Sequence, residues 1–294
     1  MSTSAAIALP EPHALVAGLV HALPEFATVK WSASLGSTNQ TLMDETRQSN
    51  LSQASHWPRL IGAHHQTAGR GRAGRPWQDQ LDQALMFSCG FRTNGPLQAL
   101  SGLAPALGIA SAEVINQHLV GAQAMTRVKW PNDLMLDQGK LGGILVESVL
   151  RQNSAEPVLF LVVGMGVNLS GHERMTRALK RSVADLSQGG VDIDLVRLIS
   201  DLTKAWQKTI DTLFQQGFKP FVERLLPLDF LQGKAVSVTQ QEKILQSGLA
   251  SGVTEQGALA LTMADGTVTQ VLVGDVSIRW DEYRHDSVNG SPSP

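Results

Sequence analysis

Residues 126–150 read TRVKWPNDLMLDQGKLGGILVESVL. Three β-type runs, Thr126 to Trp130, Leu134 to Leu136 and Leu141 to Leu150, are separated by the turn signals Pro131-Asn132-Asp133 and Gln138-Gly139. A fourth run follows at Val158 to Val163. Short strands joined by such turns predict an antiparallel sheet built of hairpins. If the strands on either side of Gln138-Gly139 pair, Lys140 returns close to the Asn132-Asp133 turn. Gly142 and Gly143 interrupt an otherwise Ile/Leu/Val-rich strand, where glycine weakens pairing and marks a bulge or a close approach of backbone to a ligand. Lys129, Trp130, Asn132 and Asp133 gather a cation, an aromatic, a carboxamide and a carboxylate at a strand end, a place that tends to carry function.

Outward from this stretch, Leu60 to His65 reads as a strand, and Leu100 to Leu119 as a helix that Pro105 starts or kinks. Ile193 to Gln216 is an amphipathic helix, with Leu195, Leu198, Ile199, Leu202, Trp206, Ile210 and Leu213 at three- and four-residue spacings. Asp192 or Asp194 caps it and Gly217 ends it. After Pro227 come short β runs at Ala235 to Thr239, Ala258 to Thr262, Val268 to Val273 and Val276 to Trp280, the pattern of a small barrel or sandwich. Ala14 to Leu23 forms a short helix bracketed by Pro10, Pro12 and Pro24, too little for an independent N-terminal domain, which argues against a DNA-reading module. The last residues lack an apolar pattern and read as a frayed tail.

The chain has 294 residues, enough for a full core and two domains, and its 26 acidic and 24 basic residues give a net charge of −2. No chain-wide basic field is present to hold nucleic acid. Cys89 is the single cysteine, in the apolar run Leu85 to Cys89, and is expected to be buried and inert. The segment through Val29 lacks Lys and Arg, so it has no secretory n-region, and no apolar run approaches the ~20 residues that span a bilayer. These features predict a cytoplasmic protein with no membrane and no DNA partner.

Against that neutral background, Gly69-Arg70-Gly71-Arg72-Ala73-Gly74-Arg75-Pro76-Trp77 concentrates cation on a pliable backbone suited to closing over an anion. It fits G-x-G-x-x-G in letter. A dinucleotide fold needs a helix at the third glycine, however, whereas Arg75-Pro76 follows. An RNA-binding arm would need repetition that is absent, and a merely solvated loop is the plain alternative. Trp77 serves either the core or a ligand. Ser37-Thr38-Asn39-Gln40 supplies neutral donors and acceptors and, by default, an N-cap for the helix that follows. Gly164 to Asn168 ends a buried strand with two glycines and a carboxamide. His56, His64 and His65 do not make a metal site, since adjacent strand positions point to opposite faces.

In order and combination, Ser37 to Asn39, Gly69 to Arg72, Lys129 to Asp133, Lys140 to Glu147, Gly164 to Asn168 and the closing Gly274 to Arg279 resemble a bacterial biotin protein ligase over about Lys30 to Arg279. The resemblance implies an α+β fold: a class II aminoacyl-tRNA synthetase-like mixed sheet flanked by helices, then a small SH3-like β-barrel. It divides the chain into an extension (1–29), a catalytic biotin/ATP-binding domain (30–228), an SH3-like domain (229–282) and a tail (283–294). The implied reaction activates biotin with ATP to biotinyl-5'-AMP, then moves biotin to a lysine of a biotin carboxyl carrier protein.

By the same resemblance Lys140, Arg70 and Arg72 are catalytic. Ser37, Thr38, Asn39, Gln66, Gly69, Arg70, Gly71, Arg72, Lys140, Gly142 and Gly143 bind biotin, while Trp77, Asn132, Asp133, Lys140 and Asn168 serve the nucleotide. Mg²⁺ accompanies ATP, held by phosphates and water, with no structural metal. No winged-helix domain precedes the catalytic region, which implies the monofunctional form. A lipoate or octanoate ligase shares the acyl-adenylate logic but needs a motif that is missing. A non-catalytic biotin- or nucleotide-binding regulator would not need Lys140. The oligomeric state, a homodimer included, stays open.

Overall fold

The computed structural model describes residues 7–48, 53–77, 83–119, 124–152, 157–190, 192–241, 243–274 and 276–280. The tail beyond residue 280 and Asp275 of the closing motif lie outside them. In chain order the elements are α1 (Pro12–Ala22), β1 (Thr28–Leu35), α2 (Thr38–Arg47), β2 (Arg59–Gln66), β3 (Ala84–Thr93), α3 (Leu100–His118), β4 (Thr126–Lys129), β5 (Asp133–Leu136), β6 (Gly139–Arg151) and β7 (Val158–Asn168). They continue with α4 (His172–Leu179), α5 (Leu195–Gln216), α6 (Lys219–Leu225) and β8 (Ala235–Gln240). The last four are β9 (Lys243–Val253), β10 (Leu259–Thr262), β11 (Val268–Val271) and β12 (Ser277–Trp280).

The predicted hairpins are present. Seven strands pair in the order β1-β2-β3-β7-β6-β5-β4, with β1 and β2 parallel and the other pairs antiparallel, so the sheet is mixed. Helices α3 and α5 cover one face. Trp206 of α5 stacks on Phe87 of β3 with ring centres 5.2 Å apart, and its Nε1 donates to Ser111 Oγ of α3 at 2.8 Å. Helix α2 lies on the other face over a smaller apolar cluster of Leu42, Met43, Trp57, Ile61, Phe160 and Val162. Of the two caps offered by sequence, Asp194 is the one used, accepting from Arg197 N at 3.1 Å, and Gly217 (φ +69°) ends α5 in a conformation that favours glycine.

Leu15 and Leu19 of α1 are fully buried in the same core as the sheet, so this helix packs on the main body, a point the sequence leaves open. Pro105 lies inside α3 and does not begin it. The stretch Leu97–His118 is, by length and composition, apolar enough to cross a membrane, contrary to the reading of sequence runs. Its Gly, Ala and Ser residues dilute the hydropathy that the eye looks for, and most of it is buried as a core helix.

The C-terminal strands form a second, antiparallel sheet in the order β11-β10-β9-β8-β12, with its own core of Phe230, Val236, Val238, Leu259, Leu261 and Ile278. Trp130 and Met135 of the main sheet insert into this core, and Trp130 Nε1 donates to Gly257 O at 3.0 Å. The β4–β5 turn is thereby fixed between the two sheets.

Candidate active site

A cavity of about 1020 Å³ opens on the α2 face of the main sheet and reaches the C-terminal sheet at Val276 to Trp280. One end is neutral and polar. Ser37 caps α2, its Oγ accepting from Gln40 N at 3.4 Å, which buries Thr38 and Asn39 in the first turn. Gln66, at the end of β2, accepts from Thr38 N at 2.7 Å. Ser88 Oγ of β3 donates to Asn39 Oδ1 at 2.5 Å, and Asn39 Nδ2 donates to Glu147 Oε2 of β6 at 3.1 Å. Asn39 has room only because β7 carries glycine opposite it: a Cβ on Gly164 would stand 2.8 Å from Asn39 Cγ.

The other end is cationic. Among the described residues, Arg72, Arg75, Lys129, Lys140, Lys180, Arg181 and Arg279 line the cavity with the carboxylate of Asp133 among them, while Arg70 lines it beside Gln40 and Glu147. As the hairpin predicts, Lys140 returns to the turn, its Nζ donating to Asp133 Oδ1 at 2.5 Å, with Lys129 Nζ 3.9 Å from Oδ2. Burial pushes the Asp133 carboxyl up. Lys140, Lys129, the Lys140 hydrogen bond and Arg72 outweigh this and hold it below its ordinary value near 3.8. Asp133 therefore stays ionised and aims Lys140.

The Gly69–Trp77 loop makes one short turn at Arg72–Gly74, with no helix opening there, which removes the dinucleotide reading. Its arginines go to different places. Arg70 donates to Gln40 Oε1 at 2.5 Å and to Glu147 Oε1 at 2.9 Å, so this predicted catalytic guanidinium is held by an acid. Arg72 donates to Asn132 Oδ1 at 3.0 Å and to the Gly274 carbonyl, and Arg75 to Ser277 Oγ at 2.9 Å. Trp77 lines the cavity and packs on Gly166, where a Cβ would meet its ring at 2.6 Å. It is half-buried, with one side on the sheet and the other on the cavity.

Ser37, Thr38, Asn39, Gln66, Arg70, Gly71, Arg72, Trp77, Asn132, Asp133, Lys140, Gly143 and Asn168 all line this one space. Gly69 and Gly142 do not. A Cβ on Gly69 would stand 2.8 Å from Trp77 O, and one on Gly142 would collide with Gly166 O and lie 3.1 Å from Val167 Cα, so both glycines answer to backbone packing. Asn168 is largely spent on structure, its Nδ2 donating to Ala184 O at 2.9 Å and to Lys140 O at 3.3 Å. It pins the segment after α4 against Lys140 and brings Lys180 and Arg181 to the rim. Those two cations and Ser88 were not singled out by sequence, and Glu147 and Arg279 were named there only as the ends of motifs, without a role. Cys89 is fully buried, and burial raises its thiol well above its ordinary value, so it is no nucleophile.

A neutral hydrogen-bonding end joined to a cationic end, on a mixed sheet flanked by helices, matches one family of known proteins. Residues 31–168 fit the family described as "Biotin/lipoate A/B protein ligase family". The chain is 32% identical over 273 residues to the bifunctional ligase/repressor BirA of Salmonella typhimurium, covering 92% of this chain and 81% of that one. It is 31% identical over 250 residues to the biotin--[acetyl-CoA-carboxylase] ligase of Mycobacterium tuberculosis, covering 83% and 86%. The biotin protein ligase of Aquifex aeolicus, solved in complex with biotin and ATP, superposes with a TM-score of 0.69 at 25% identity over 87% of this chain and all of that one. The chain belongs to the biotin/lipoate A/B protein ligase family. Within the family it stands with the biotin protein ligases.

Proposed function

We propose that this chain joins biotin to ATP as biotinyl-5'-AMP, releasing pyrophosphate, and then transfers biotin to a lysine of a biotin carboxyl carrier protein. The carrying observation is the division of one cavity into a neutral end and a cationic end. Biotin's ureido ring has one carbonyl acceptor and two N–H donors and no charge, which suits Ser37, Thr38, Asn39 and Gln66. Its carboxylate and the triphosphate are anions that repel each other, which suits the cations around Lys140 and Arg72.

In the first step a biotin carboxylate oxygen attacks the α-phosphorus and the bond to pyrophosphate breaks. Lys140, fixed by Asp133, places its charge where the two anions meet. In the second, the carrier lysine's neutral amine attacks the acyl carbon, the bond to AMP breaks, and the amine proton is lost to solvent. Among the described residues no group of three or more His, Cys, Asp or Glu is placed to hold a metal, and Asp133 is engaged by Lys140. These residues fit a Mg²⁺ that arrives on ATP and is held by phosphates and water, where it would neutralise phosphate charge.

The separate core of the C-terminal sheet supports reading residues from about 229 onward as a domain of SH3-like kind, with Arg279 and Ser277 brought to the cavity. Dependence on ATP and on a carrier domain supports a cytoplasmic setting. The test is mass spectrometry of a purified biotin carboxyl carrier domain after incubation with the chain, biotin, ATP and Mg²⁺. A biotin-sized mass gain that needs ATP and disappears with Lys140→Ala is expected. No gain at any enzyme concentration refutes the reading.

A further inference from the structure

Glu147 stands on the cavity-side face of β6, in line with Gly143 and Leu145, yet it does not line the cavity. Its two carboxylate oxygens point to different structures. Oε2 accepts from Asn39 Nδ2 at 3.1 Å, in the buried first turn of α2, and Oε1 accepts from Arg70 Nη2 at 2.9 Å, in the Gly69–Trp77 loop. Its side chain is 19% exposed and that of Arg70 is 42% exposed. Gln40, one residue beyond Asn39, completes the junction by accepting from Arg70 Nη1 at 2.5 Å.

A half-buried carboxylate needs partners, and charge-assisted hydrogen bonds are the stronger kind. Here the two partners are a neutral carboxamide at one end of the cavity and the first arginine of the loop beside it. Neither can move far without leaving an acceptor of Glu147 unpaired. We propose that Glu147 is a positioning residue that anchors the loop through Arg70 and sets the Asn39 carboxamide at the same time, so that the loop and the neutral end of the cavity are ordered together. Its consequence for turnover rests on the ligase reading; its structural half does not.

The first test therefore uses the whole chain without substrates. Trypsin cuts after Arg70 and Arg72 but not after Arg75, which Pro76 follows. Glu147→Gln keeps the length and an acceptor for Asn39 while removing the ion pair. It should raise the initial cleavage rate at Arg70 roughly tenfold, the equivalent of one charged hydrogen bond, with the melting temperature lowered by only about 2 °C. Gln40→Ala, which removes the neutral acceptor, should raise the rate in the same direction by roughly threefold. With biotin and ATP, Glu147→Gln should release biotinyl-5'-AMP roughly tenfold faster and raise KM for biotin more than it lowers kcat. Cleavage at Arg70 within twofold of the parent in both variants, or acceleration shared equally by sites across the chain, overturns the assignment. A parent chain that makes no biotinyl-5'-AMP defeats the ligase reading, while the digestion still decides the role of Glu147.

Discussion

Gly164→Ala is the substitution whose outcome is most tightly set by the geometry. A Cβ at this point of β7 would overlap Asn39 Oδ1 and stand 2.8 Å from Asn39 Cγ and 3.0 Å from Ser88 Oγ. The Asn39 side chain cannot step aside cheaply, because Oδ1 accepts from Ser88 at 2.5 Å and Nδ2 donates to Glu147 at 3.1 Å. Forcing a methyl into a packed site costs about 1–3 kcal/mol, and each buried hydrogen bond lost adds about 1 kcal/mol. The sum is about 2–4 kcal/mol, which for a chain of this size lowers Tm by roughly 3–7 °C. A displaced Asn39 also leaves the neutral end misaligned, so KM for biotin should rise by roughly 10- to 100-fold with KM for ATP little changed. Thermal unfolding followed by fluorescence, and pyrophosphate release at varied biotin, measure the two arms. A variant that melts within about 1 °C of the parent and keeps its biotin KM would show that Asn39 does not occupy this position.

Two further outcomes follow from the cationic end and its support. Lys140→Met should lower the rate of biotinyl-5'-AMP formation by roughly 100-fold or more, as loss of a preorganised donor does. Asp133 is held below its ordinary value, so its contribution to stability is present above pH ~3.8 and is lost as pH falls through its folded value. Removing Lys140 raises the folded value, and the acid-induced loss should shrink in urea midpoints measured from pH 6 to 2. An unchanged acid limb would sink the pairing. Asp185, fully buried, accepts from His172 N at 2.7 Å and Ser187 Oγ at 2.7 Å and lies 2.8 Å from His172 Nδ1. Asp185→Ala should destabilise the chain by about 2–4 kcal/mol through the donors left unpaired, and a urea midpoint equal to the parent's would contradict this.

The hairpins from Thr126 to Arg151 were legible because turn residues and β-type runs alternate there, and α5 because its apolar spacing is regular and both ends are marked. Strand β3 was not read as a strand. Eight of its residues in a row are buried, so it lacks the alternation that distinguishes a strand from any other apolar run. Strand β9 hides behind Gly248, Gly252 and exposed polar positions, and α4 buries only Met175. In the site, the chemistry of Ser37 to Asn39, Gln66 and Lys140 was visible in their residue types. What sequence could not supply was pairing across the sheet. Glu147 meets Arg70 across 77 residues, and Ser88 meets Asn39 across 49. Gly164 and Gly166 drew attention as glycines, but the reason for each is a neighbouring side chain, Asn39 and Trp77, rather than a ligand.

The partners of the loop arginines suggest a division of labour within one short segment. Arg72 donates to Asn132 and the Gly274 carbonyl and also acts on the Asp133 carboxylate, whereas Arg75 donates to Ser277, a neutral acceptor. A phosphate or carboxylate oxygen is a stronger acceptor for guanidinium than the Ser277 hydroxyl, so an anion entering the cavity can take over the Arg75 bond at little cost. Arg70 differs because its partner Glu147 is itself a carboxylate and competes with an incoming anion on equal terms. The loop therefore has one arginine, Arg70, suited to stay and one, Arg75, suited to transfer. Since the releasable contact of Arg75 reaches Ser277 at the start of β12, while the retained one of Arg70 reaches β6, an anion that takes over Arg75 would loosen the loop's hold on the C-terminal sheet and keep its hold on β6.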